Sequence, residues 1–98
     1  MEIARVKGNV VATRKDMKLD GYKLMLVEFA DISGGEKGGS PIVALDTVDA
    51  GVGDLVLIVR GSSARQAANM STTPVDAAII GIIDNIQFSG ETTFNTSK

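Results

Sequence analysis

Residues 46–66 read DTVDAGVGDLVLIVRGSSARQ, setting a tight turn, an apolar run and a helix-start signal side by side. Gly51 and Gly53 bracket Val52. Glycines so closely spaced supply left-handed backbone conformations that a side chain resists, so a turn is expected there. From Asp54 to Arg60 the run is aliphatic and β-branched, of strand length, and bounded by Gly53 and Gly61. It predicts a strand with apolar residues on both faces. Beyond Gly61, Ser63-Ala64-Arg65-Gln66 fits a capping box, in which the serine hydroxyl accepts from the backbone N–H three residues on and the glutamine reaches back. A short helix is expected from Ser63 to about Asn69.

Upstream, residues 2–13 (EIARVKGNVVAT) alternate polar and apolar up to Gly8. A long first strand kinked or bulged at Gly8 accounts for this. Residues 14–21 are charged, end in Asp20-Gly21 and read as an exposed loop. Residues 22–30 (YKLMLVEFA) form a second strand, with Leu24, Leu26 and Glu28 on one face and Met25, Val27 and Phe29 on the other. Residues 31–40 hold four glycines and read as a poorly ordered hairpin tip. Residues 41–45 then make a short third strand with Pro41 at its start.

Downstream of the quoted stretch, Thr73 reads as the cap of a second short helix, with Pro74 at its first position and Asp76 near its positive end. Residues 78–88 (AIIGIIDNIQF) are expected to be the fifth strand, bent at Gly81, and residues 89–98 a tail that turns at Gly90, extends over Thr92 to Phe94 and then frays. Five strands, one or two short helices and no βαβ period indicate an all-β fold, a five-stranded OB-like antiparallel β-barrel, as a single domain over residues 1–98.

The bulk properties narrow the chemistry. At 98 residues and 44% hydrophobic content the chain is a folded domain with a small core, and its net charge of −2 gives no pull toward phosphate backbones or anionic membranes. There is no cysteine and no histidine. Disulfides, thiolate nucleophiles and the commonest general base and metal ligand are thereby removed, and an enzyme is not expected. No segment approaches the roughly 20 apolar residues of a membrane span, and the first residues hold no apolar leader, so a cytoplasmic location is the default expectation.

The runs LMLV, LVLIV and IIGII place apolar side chains on both faces of three strands. A lone barrel fills its inside with one face of each strand and leaves the other mostly polar. Loops and short helices could cover the second face, but contact between subunits is the favoured cover.

Several blocks of the chain, in order, resemble the EutN/CcmL family, whose members close the vertices of bacterial microcompartment shells. They are residues 3–15 (IARVKGNVVATRK), 23–27 (KLMLV), 46–65 and 74–84 (PVDAAIIGIID). The resemblance implies a structural, non-catalytic protein without cofactor or metal. It would assemble as a homo-pentamer by head-to-tail contacts and be partnered by hexameric and pseudo-hexameric shell proteins, with neither nucleic acid nor membrane as partner. It also points to Asp46, Gly51, Gly53, Arg60, Gly61, Ser62, Ser63, Ala64 and Arg65 as positions that shape the turn or the subunit contacts.

Other readings of these residues are weaker. Ser62 and Ser63 lack a histidine to activate them. Gly51-Val52-Gly53 lacks the companion residues of a phosphate loop. Asp46, Asp49, Asp54, Asp76 and Asp84 have no metal-loop spacing and suit turns and caps. Arg60 and Arg65 flank the serine pair, and one of them is expected to meet a carboxylate across the ring, the alternative being a solvated surface arginine. An OB-like barrel also suggests single-stranded nucleic-acid or ligand binding, yet the aromatics are only Tyr22, Phe29, Phe88 and Phe94 and no basic groove is evident.

Overall fold

A computed structural model describes residues 1–12, 21–62, 64 and 76–96. Within them run seven strands: β1 (Glu2–Val10), β2 (Lys23–Phe29), β3 (Ile42–Asp46), β4 (Leu55–Arg60), β5 (Ala77–Ile82), β6 (Asn85–Phe88) and β7 (Glu91–Asn95). The first five close into a barrel in the order β1-β2-β3-β5-β4, and β6 and β7 form a separate two-stranded sheet. Four seams are antiparallel; the fifth, β3 to β5, runs parallel through Leu45 opposite Ala78 and Asp46 opposite Ile79. The expected wholly antiparallel pairing is corrected at that seam. In a ring of five strands the direction cannot alternate all the way round, so with the other four seams antiparallel β3 and β5 must run the same way.

β1 serves two partners, pairing with β4 through residues 2–5 and with β2 through residues 4–10. The register to β2 slips between Val6 and Gly8, leaving Lys7 unopposed. This is the expected bulge, and it bends one strand far enough to close both sides of the barrel. Alternation then sorts the side chains. Ala4, Val6, Met25, Val27, Ala44, Val56, Ile58, Ala77 and Ile79 fill the interior with the loop residue Ala50.

The outer face of β4 is covered by the chain itself in two places. Leu55, Ala30 and Ile83 are buried in a cluster with Ile3, Leu57, Ile86 and Phe94, so the β6–β7 hairpin lies across the outside of β1 and β4. Val59 and Ala78 pack with Ala64 and Ile80. The chain thus covers β4 itself, with a hairpin as well as with the start of the expected helix at Ala64, where the lesser alternative names only loops and helices. On β2 and β3 the outer residues Leu24 and Leu26 stay half-exposed and Val43 is 44% exposed.

The single strand expected over residues 78–88 is two strands. β5 ends where its partner ends: Val56 opposes Ile82, and the Ile83 N–H donates to the Leu55 carbonyl at the first residue of β4. With no ladder left, the chain turns away at Asp84, whose carbonyl accepts from the Thr96 N–H and hydroxyl. The expected turn at Gly90 and extended Thr92 to Phe94 are present, but as the return strand β7, joined to β6 through Ser89 (φ 53°) and Gly90 (φ 81°). Left-handed backbone at both positions is the turn that matches the twist of a tight hairpin.

Candidate functional site

The connection from β3 to β4 is built on Asp46. Its buried side chain accepts hydrogen bonds from the N–H groups of Val48 (3.0 Å) and Ala50 (2.8 Å). A carboxylate that receives two N–H groups curls the chain back on itself. Lys23 closes this loop from β2: its ammonium lies 3.5 Å from Asp46, 2.7 Å from Asp49 and 3.1 Å from the Ala50 carbonyl. The hydrogen bond to Asp49 raises the Lys23 pKa above its ordinary value and lowers that of Asp49. Asp49 itself takes the left-handed conformation (φ 60°), and so does Gly53 (φ 97°). Gly51 does not, contrary to expectation; its N–H is instead held by the Asp54 carboxylate at 2.8 Å. Gly53 then donates to the Val6 carbonyl while Val6 donates to that of Asp54, stitching the turn to β1.

Arg5, on the outer side of β1, ties three segments together. Its Nη1 donates to the Gly53 carbonyl and its Nη2 to that of Gly34, both at 2.8 Å, and its guanidinium lies 5.7 Å from the centre of the Phe94 ring. The loop after β2 is more ordered than its glycines suggest. Asp31 accepts from the Ser33 N–H and hydroxyl and from the Gly35 N–H, which lowers its pKa, and Lys7 meets Glu36 at 2.6 Å.

Arg60 closes the far end of the barrel. Its Nε and Nη2 make a two-pronged contact with the Glu2 carboxylate at 2.7 and 3.0 Å, and its guanidinium sits 4.9 Å from the Phe29 ring centre. The hydrogen bond holds the Glu2 carboxyl below its ordinary range and raises the Arg60 pKa. Arg60 is therefore committed within its own chain, and the expectation of a cross-ring partner passes to Arg65, which lies outside the described residues.

The remaining expected positions divide similarly. Gly61 has the left-handed backbone (φ 68°) that its turn requires, and its N–H bonds the Asp76 carbonyl. Ser62 and Ala64 are helical, so the helix begins by Ser62; the expected cap Ser63, the run to Asn69 and the Thr73–Pro74 start lie outside the described residues. No cluster of three potential metal ligands occurs among the described residues. Glu2, Arg5, Lys23, Gly34 and Phe94 were not singled out from the sequence. Each works through a partner 26 or more residues away, which local pattern does not reveal.

What the arrangement offers is a shaped surface: a clasped turn, an apolar strip at Leu24, Leu26 and Val43, and arginines occupied in holding the fold. Residues 1–84 match the family described as "Ethanolamine utilisation protein EutN/carboxysome". The chain belongs to the EutN/CcmL family. The EutN/CcmL match ends at the residue where the chain leaves the barrel. Among its EutN/CcmL relatives, the bacterial microcompartment shell vertex protein EutN of Escherichia coli is 42% identical over 95 residues, spanning 97% of this chain and 99% of that protein. The carboxysome shell vertex protein CcmL of Nostoc sp. is 45% identical over 86 residues, spanning 88% and 85%. Among solved EutN/CcmL structures, an ethanolamine utilization protein EutN superposes with a TM-score of 0.90 at 42% identity, covering 98% of this chain and 99% of that one. The GrpN pentameric microcompartment shell protein from Rhodospirillum rubrum superposes with a TM-score of 0.80 at 40% identity, covering 90% and 99%. EutN/CcmL proteins are structural components of microcompartment shells, not enzymes, and this chain is one of them.

Proposed function

We propose that this chain assembles as a cyclic homo-pentamer that occupies the vertices of a bacterial microcompartment shell and meets hexameric and pseudo-hexameric shell tiles at its rim. The observation that carries the reading is the likeness, at 40% identity, to a pentameric shell protein over 90% of the chain. The surface supports it. Leu24, Leu26 and Val43 form an apolar strip across β2 and β3 that the described residues leave partly open, and such a strip is stable in water when a neighbouring subunit covers it. The role is geometric: a flat sheet of six-fold tiles has no curvature, and five-fold rings at intervals introduce it. Asp46, Gly53 and Gly61 shape the turns that present this surface, and of the two arginines flanking the serine pair Arg65 is the one to reach a carboxylate on the next subunit.

Light scattering behind a sizing column tests the reading. Five times the 10.2 kDa chain mass is expected. A monomer over a wide concentration range would overturn it. Leu26→Asp should convert the ring to monomers with the barrel's thermal transition retained, since a charge in the strip is tolerated in water but not under a subunit. A variant that remained pentameric would move the contact elsewhere.

A further inference from the structure

The β6–β7 hairpin overhangs the barrel it lies on. Ile86 and Phe94 oppose one another and pack, beside Ile3 and Leu57, on the buried cluster of Ala30, Leu55 and Ile83. Alternation along β6 sends Phe88 to the same side as Ile86, yet Phe88 is 61% exposed. The apolar side of the hairpin thus continues past the end of its own support. Directly opposite Phe88 stands Glu91, and residues opposed across a hairpin share a face. Glu91 is exposed, and its carboxylate has no hydrogen-bond partner among the described residues. The free end of the hairpin therefore carries an aromatic ring and a carboxylate side by side.

A complementary surface lies where β1 starts and β2 ends. An open cleft of about 400 Å³ is walled by Ile3, Phe29, Ala30 and Ile32, with Lys37 among its lining residues. Its acids are engaged: Glu2 by Arg60, and Asp31 by Ser33 and the Gly35 N–H. Lys37 lowers the pKa of both from a distance but contacts neither, and its ammonium has no partner among the described residues. Phe88 is not part of the cleft of its own chain, so tip and cleft are separate surfaces, as a head-to-tail contact requires. The cleft lies at the end of β2, the strand that carries Leu24 and Leu26.

We infer that the hairpin clasps a second copy of this chain, seating Phe88 in the neighbour's cleft and setting Glu91 against the neighbour's Lys37. The inference rests on the ring reading and names a contact within it. The ring would then be fastened by an arm as well as by a face, and the unpaired Lys37 and Glu91 would each find an opposite charge.

The absence of cysteine from the chain makes the test direct. Phe88→Cys and Ile32→Cys chains, differently tagged, are co-expressed and mildly oxidised. A disulfide-linked heterodimer exceeding either homodimer is expected. No such product, with the wild-type mass still pentameric, would overturn the contact and leave the ring standing. A wild-type monomer would remove both. Independently, Phe88→Ala should raise the concentration at which the ring dissociates by roughly tenfold. Lys37→Glu and Glu91→Lys should each raise it about threefold, and the double charge exchange should restore it. Unchanged dissociation in all of these variants would likewise exclude the contact.

Discussion

Asp46 shows how much one side chain settles. Its carboxylate is fully out of solvent and meets two loop N–H groups. Asp46→Ala leaves both donors without a buried acceptor and should cost about 3 kcal/mol in chemical denaturation. Glycine substitutions separate conformation from contact. A methyl group on Gly53 would meet open space, so Gly53→Ala carries only the left-handed backbone cost, about 1 kcal/mol. At Gly34 the same methyl would lie 2.7 Å from the Arg5 guanidinium and 2.8 Å from the Phe94 ring at φ 86°. Gly34→Ala should therefore cost about 3 kcal/mol, the excess over Gly53→Ala measuring the close approach. Equal losses at the two glycines would show that the Arg5 clasp yields freely. The sequence reading reached Asp46 and Gly53 because turn chemistry is local. It did not reach Gly34, whose importance comes from an arginine 29 residues upstream.

Among the elements, the hairpin is the one held least by the barrel ladder. It has no strand pairing to the five barrel strands and is fixed by Ile86, Phe94, the Arg5 guanidinium and the Thr93 hydroxyl on the Ile32 carbonyl. Arg5→Ala removes the stacked cation and both loop carbonyl contacts. In hydrogen exchange, amides of residues 85–95 should lose protection ahead of those in β4, while the barrel keeps its own. Simultaneous loss in both would mean that hairpin and barrel open as one unit. The strands of the barrel were legible from alternation and glycine boundaries, to within one or two residues at most ends. The division of residues 78–88 was not. Apolar alternation runs on through Ile82, Ile83 and Ile86, and what stops β5 is the end of its partner β4, a fact of register across the sheet.

At the scale of the molecule, ionic clasps set the response to pH. Glu2, Asp31, Glu36 and Asp49 are held below their ordinary pKa values by Arg60, by Ser33 and Gly35, by Lys7 and by Lys23 respectively. Carboxyls with lowered folded values bind fewer protons folded than unfolded. Their stabilisation is complete above the unfolded values and drains as pH falls through the folded ones. Tm should hold level from about pH 8 to pH 5 and drop below about pH 4. Lys7 and Lys23, with raised values, contribute until the medium passes their ordinary 10.5. A Tm rising on acidification would contradict these pairings. The doubly apolar strands announced that something covers the barrel. They did not say how the work divides between hairpin, helix and neighbour, since periodicity records that a face is dry and not what dries it.

The closure of the barrel has one more effect. Every barrel strand has a hydrogen-bonded neighbour on each side over at least part of its length, so none of the five is a free edge strand that another polypeptide could extend along its whole length. Among the described residues, the short strands β6 and β7 are the free edge strands. A protein made in many copies for a container wall faces the hazard of endless fibre growth by strand addition. Here subunits are left to join through side chains, whose shapes limit how many fit, and the assembly can stop at a finite size.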